Sequence, residues 1–184
     1  MKFLDKKETG FILNKIGMKI DEWNRVIPLV CIKENSRIVY QAPRDALLMY
    51  CFSQHIAGWL PKDGWKLLHI DDVNIFAKDE EEFFSRLVGG GKSIVLNDCK
   101  TLIFEQQDNW IKSNLTISYL VYALILFEGH GCIVSSAGSQ GEMVCVQDGY
   151  LYFVSDKKRI FDAQSLINSF EKEPRKSPEW ILLT

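Results

Sequence analysis

The chain has 184 residues, of which 47% are hydrophobic, 12% aromatic and 25% charged. That much apolar material excludes an intrinsically disordered chain and suits one compact domain, expected to span residues 1–184. Lysine and arginine number 22 against 24 acidic residues, a formal charge of −2. This near balance removes the simplest electrostatic reason to expect nucleic-acid or anionic-membrane partners.

At the N-terminus, Met1-Lys2-Phe3-Leu4-Asp5-Lys6-Lys7-Glu8 brings charge in immediately after a two-residue apolar pair. A signal peptide needs an apolar stretch of ~7–15 residues there, so export is not expected. The longest apolar run, Leu115 to Phe127, includes two hydroxyl residues and two tyrosines and falls short of the ~20 residues a spanning helix requires. It is expected to be a buried element of a soluble domain. The cysteines Cys31, Cys51, Cys99, Cys132 and Cys145 are odd in number, widely spaced and mostly set among apolar neighbours. That pattern fits buried reduced thiols in the cytoplasm better than a disulfide frame.

Asp5 with Glu8 three places on predicts a capped helix over Lys6 to Ile16, closed by Gly17. Leu29 to Ile32 and Arg37 to Tyr40, separated by Glu34-Asn35-Ser36, predict a hairpin. Pro43 suits a first helical position, and Ala46, Leu47, Tyr50, Cys51, Ile56 and Trp59 keep helical spacing up to Pro61. A strand is predicted over Trp65 to Ile70. A short helix follows over Asp79 to Val88, closed by Gly89-Gly90-Gly91, and then strands over Ser93 to Leu96 and Thr101 to Glu105. Leu115 to Phe127 is read as a helix, with Asn114 at its start and Gly129 at its end. Cys132 to Ser135 predicts a strand. Met143 to Val146 and Tyr150 to Val154 about Gln147-Asp148-Gly149 carry the strongest hairpin signal in the chain. A last helix is predicted to be capped by Asp162, with Leu166, Ile167 and Phe170 on its apolar face, and Trp180 to Leu183 is a candidate edge strand. Strands in hairpins with helices between them predict an α+β fold, a single domain with a mostly antiparallel sheet flanked by helices.

Candidate chemistry is sparse. Gly89-Gly90-Gly91-Lys92-Ser93 resembles the tail of a phosphate loop, but the position that requires the first glycine is Arg86, and the expected order of helix then strand reverses the strand-to-helix geometry. His55 lies four places after Cys51, and His130 two before Cys132. Either pair could support a nucleophilic thiol, yet two ligands do not build a metal site, and no metal or other cofactor is expected. The small loop Ser135 to Gly141 lacks the glycine pattern of a nucleophile elbow and reads as a strand connection. Asp71, Asp72, Asp79, Glu80, Glu81 and Glu82 form an acidic stretch opposed only by Lys78. It suits a solvated loop and helix start, or a charged face that selects a basic partner.

Three stretches carry a resemblance at the level of a class: Phe52 to Pro61 running on through Gly64-Trp65-Lys66-Leu67 to Asp71-Asp72; Glu82 to Leu87; and Asp148 to Val154. Together they resemble the small cytosolic immunity proteins of bacterial contact-dependent and polymorphic toxin systems. The resemblance implies a non-enzymatic protein that binds and neutralises a cognate toxin domain, commonly a nuclease, with the six acids above as the charged contact face. Two alternatives stay open: a small hydrolase or transferase using Cys132 or Cys51 with a histidine, and an adaptor subunit.

Overall fold

A carboxylate at residue 5 starts the first helix as expected. In a computed structural model that describes residues 2–29, 37–72, 101–105, 110–136 and 142–170, α1 (Lys6–Lys15) opens on a reciprocal cap. Asp5 Oδ1 accepts the Glu8 N–H at 2.7 Å, and Glu8 Oε2 accepts the Asp5 N–H at 3.1 Å. Before it lies β1 (Lys2–Leu4), too short to leave a sequence signal. After it, β2 (Met18–Ile20) and β3 (Val26–Pro28) form a separate small hairpin. Pro28 therefore ends a strand rather than preceding one. The strand β4 (Arg37–Gln41) pairs with a strand far along the chain, and the expected turn at Glu34 to Ser36 lies outside the described residues.

The helix α2 (Ala46–Trp59) is capped by Asp45, whose side chain accepts the Leu48 N–H at 2.9 Å, so Pro43 sits before the cap and not in the first turn. Next come β5 (Lys66–Asp72), β6 (Thr101–Phe104) and α3 (Trp110–Leu126). Because α3 begins five residues earlier than expected, Asn114 is inside it. Its end is a Schellman arrangement in which Glu128, not Gly129, takes the left-handed conformation at φ 51°. The Glu128 N–H reaches the Ile125 carbonyl at 3.3 Å and the Gly129 N–H reaches Leu124 at 2.8 Å, satisfying carbonyls that the helix leaves open. The remaining elements are β7 (His130–Ser135), β8 (Glu142–Gln147), β9 (Tyr150–Val154) and α4 (Lys157–Phe170). Asp148 and Gly149 both have positive φ, 50° and 75°, the two-residue turn that matches strand twist and that an Asp-Gly pair favours. Asp156 accepts the Arg159 N–H at 2.9 Å at the start of α4. Asp162 thus lies inside this helix, 3.4 Å from the Arg159 guanidinium. The expected elements at 79–88, 93–96 and 180–183 lie outside the described residues.

The fold is α+β, and every pairing in its main sheet is antiparallel. The order is β1-β6-β5-β7-β8-β9-β4, with β2-β3 as a second, two-stranded sheet. Alternate side chains feed two cores. Tyr40, Leu68, Ile70, Leu102, Ile133, Val144, Leu151 and Phe153 meet Phe52, Ile56, Ile117, Leu120, Leu124 and Ile167 from α2, α3 and α4. On the opposite face Leu4, Leu67, Ile103, Cys132, Val134 and Met143 meet Leu13 of α1 and Met18 and Val26 of the small hairpin. A polar clamp ties the helical layer to the sheet. Arg159 Nε lies 2.9 Å from Glu142 Oε1, Ser155 donates to the same oxygen at 3.1 Å, and the guanidinium sits 4.8 Å from the Trp59 ring and bonds the Trp59 carbonyl. The Trp59 indole N–H returns a bond to the Arg159 carbonyl at 3.2 Å.

Where α3 crosses the sheet, β7 has no side chain at Gly131. A Cβ there would stand 2.8 Å from the His69 carbonyl oxygen and 3.1 Å from Leu124 Cδ1, and the backbone atom cannot rotate away. Gly131→Ala is expected to cost roughly 1–3 kcal/mol, as overpacking does. The check is a lowered urea midpoint at unchanged slope; an unchanged midpoint would show that α3 is not seated this tightly.

Candidate functional site

Register builds the most chemically varied row in the molecule. Thr101, His69, Cys132, Cys145 and Tyr152 are successive cross-strand partners on β6, β5, β7, β8 and β9. Their side chains therefore share the face covered in part by α1 and the small hairpin. His69 is buried, with Nδ1 2.7 Å from Thr101 Oγ1 and Nε2 2.9 Å from the Asn24 carbonyl. A carbonyl only accepts, so Nε2 carries a proton and donates to it. Asp71 Oδ1 lies 3.3 Å from the same nitrogen. Asn24 sits in the β2–β3 turn, which Asp21 organises by accepting the N–H groups of Trp23 at 2.9 Å and Arg25 at 2.8 Å and the Arg25 Nε at 2.9 Å. His69 thus pins the hairpin tip to the sheet.

This arrangement argues against an activated thiol. With Nε2–H donating to Asn24 and Nδ1 bonded to the Thr101 hydroxyl, the imidazole presents no spare lone pair to Cys132. The Cys132 thiol is itself held well above the ordinary cysteine range, first by its contact with Cys145, then by burial, with the nearby Cys145 and Asp71 charges adding. A catalytic thiol is tuned the other way. The other two histidines have partners of their own. His55 Nδ1 bonds the Cys51 backbone carbonyl at 2.8 Å, and its ring stacks edge-on against Phe170 at 5.1 Å. His130 Nε2 lies 2.8 Å from Asp148 at the sheet's end. Ser136, at the start of the loop read as a connection, exchanges bonds with the Trp65 backbone at 3.0 and 3.1 Å; residues 137–141 and the glycine run at 89–91 lie outside the described residues. No group of three or more His, Cys, Asp or Glu among the described residues is placed to hold a metal ion.

Of the six acids, Asp71 faces inward beside His69 with 11% of its side chain exposed. Asp72 ends β5 opposite His130 after a register shift, and Asp79, Glu80, Glu81 and Glu82 lie outside the described residues. The sequence signal for the His69 row was the alternation Leu67-Leu68-His69-Ile70-Asp71, which sets His69 and Asp71 on one face. Its partners on β6 and β7 are distant in sequence and leave no local trace.

The other feature missed from sequence is an apolar surface on the helical layer. Ile111, Leu115 and Tyr119, spaced by four, share one side of α3 and are 68%, 46% and 43% exposed. On α2, Leu47 is 69% exposed, and the Tyr50 ring lies 5.9 Å from both the Tyr119 and Tyr122 rings, bridging the two helices. The run expected to be buried is therefore buried on one side only, through Ile117, Leu120, Val121 and Leu124. No helix among the described residues is long and apolar enough to cross a membrane. No protein-family model matches the chain, and searches of the curated proteins and of the solved structures each returned no match.

His69→Ala is expected to strip the partner from the Thr101 hydroxyl and the Asn24 carbonyl, at roughly 1–3 kcal/mol for each buried group left unpaired. Unfolding by urea measures it, and an unchanged midpoint would mean that the hairpin tip is held by other contacts. Burial raises the Asp21 carboxyl, but the Arg25 N–H, the Arg25 guanidinium and the Trp23 N–H outweigh it and lower the group overall. A lowered carboxyl contributes stability that is complete above the ordinary carboxylate range and lost as pH falls through the lowered value. Asp21→Asn should therefore flatten the acid limb of the stability profile, and an acid limb of unchanged slope would place the pH dependence elsewhere.

Proposed function

We propose that this chain is a binding protein that neutralises a cognate toxin domain by stoichiometric association, using the outer side of α2 and α3 as its contact. The observation that carries the binding role is the set of solvent-facing apolar and aromatic side chains on α2 and α3, Leu47, Ile111, Leu115 and Tyr119, with the Tyr50 ring against Tyr119 and Tyr122. Solvent-facing side chains of this kind on adjoining helices mark association surfaces, and tyrosine supplies much of the energy at such contacts because it combines a large apolar body with a polar tip. The toxin as partner rests on the resemblance of the Phe52 to Asp72, Glu82 to Leu87 and Asp148 to Val154 stretches to immunity proteins. Asp71 is mostly withdrawn, so in this account the charge that steers encounter comes from Asp72 and Asp79 to Glu82. Steering of this kind speeds association and weakens as salt rises.

The test is co-expression with the C-terminal domain encoded by the neighbouring open reading frame. The native chain should rescue growth, and Leu115→Ser combined with Tyr119→Ser should weaken the complex by about tenfold or more, as loss of central interface anchors does. Both substitutions are on the solvent side, so the circular dichroism spectrum should not change. Failure of the native chain to rescue removes the toxin partner, and full protection by the double variant removes this surface.

A further inference from the structure

Two of the free thiols stand opposite each other at the centre of the main sheet, Cys132 on β7 and Cys145 on β8. The hairpin turn decides what kind of pair they make. Gln147 and Tyr150 close a two-residue turn, and the closing pair of such a turn exchanges both backbone hydrogen bonds. Bonded and non-bonded pairs then alternate, so Cys145 with Tyr152 is again a bonded pair and Cys145 directs its N–H and C=O toward β9. Toward β7 it is left in a non-hydrogen-bonded pair with Cys132. That is the closer kind, with Cα atoms ~4.5 Å apart and side chains adjacent, at the short end of the ~4.4–6.8 Å span that a disulfide bridges. In the reduced protein the register sets the two thiols side by side on one face of the sheet.

We infer that Cys132 and Cys145 form a reversible oxidation site, in which a low-molecular-weight disulfide converts the facing thiols into a cross-strand disulfide between β7 and β8. Entry is through Cys145, which is half-buried, whereas Cys132 is 2% exposed. The Cys145 thiolate attacks one sulfur of the small disulfide, forming a mixed disulfide and releasing one small thiol. Cys132 then attacks Cys145 Sγ, its proton passing to the second small thiol as that thiol leaves. Two protein S–H bonds are lost and one S–S bond forms; the two electrons reduce the small disulfide, and the protons leave on its two thiols.

Full-length protein incubated with oxidised glutathione, then alkylated and digested without reductant, tests this. Expected is a linked peptide pair carrying Cys132 and Cys145, lighter by two hydrogens than the separate peptides and restored to two alkylatable thiols by dithiothreitol. Cys132→Ala should trap a stable glutathione adduct on Cys145, and Cys145→Ala should leave Cys132 unmodified. The inference is overturned if Cys132 and Cys145 alkylate as fully after oxidation as before it, or if the linkages formed join Cys31, Cys51 or Cys99 instead. Should an alanine variant not fold, the peptide map of the native chain decides alone.

Discussion

The main sheet is covered on both sides through its central strands, and this constraint sets everything else. Along β7, Ile133 is buried against the helices while Cys132 and Val134 are buried on the other face. Along β5, Leu68 and Ile70 face the helices while Leu67 and His69 do not. A slip of one residue would exchange the two sets, sending a histidine and a cysteine into the helical core and leucine or isoleucine toward the hairpin. Register is therefore strongly specified, and the order of side chains across the sheet is a property of the fold rather than of any single segment.

That register explains why imidazole, hydroxyl and thiol groups are neighbours across the sheet. His69 is occupied at both nitrogens, by Thr101 and by the Asn24 carbonyl. Its work is mechanical: it ties a short two-stranded hairpin, which would be marginal alone, to the main sheet. Tyr152, next in the row after Cys145, is buried with its hydroxyl unpaired among the described residues, and its phenol is pushed above the ordinary tyrosine range, chiefly by burial. Of this row, Cys132 and His69 are buried while Cys145 is half-buried, and the apolar surface proposed for recognition lies on α2 and α3.

Much of the fold was legible wherever local chemistry is decisive. The Asp5–Glu8 cap, the Asp148–Gly149 turn and the span of α2 follow from interactions within a few residues. Boundaries failed where a polar stretch masked the start of a helix. Lys112, Ser113 and Asn114 separate Trp110-Ile111 from the later apolar run of α3, and Lys157, Lys158 and Arg159 precede the apolar residues of α4, so each group reads as a connection. The strands β1, β2 and β3 are three residues each, too short for alternation to register, and β1 pairs only with the distant β6. The cross-sheet row was invisible for the same reason, since Cys132 meets His69 and Cys145 only once pairing is known. The exposed side of α3 was hidden by treating a continuous apolar run as uniformly buried, although spacing by four from Ile111 to Tyr119 already separates its two sides.

Hydroxyl-radical footprinting of the free chain and of its complex with the C-terminal domain of the neighbouring open reading frame tests the proposed recognition through α2 and α3 most directly. Loss of reactivity at Tyr50, Leu115 and Tyr119, with exposed Trp23 and Phe161 still labelled as in the free chain, is the predicted result. Unchanged labelling of the three helical residues together with protection at Trp23 or Phe161 would contradict it.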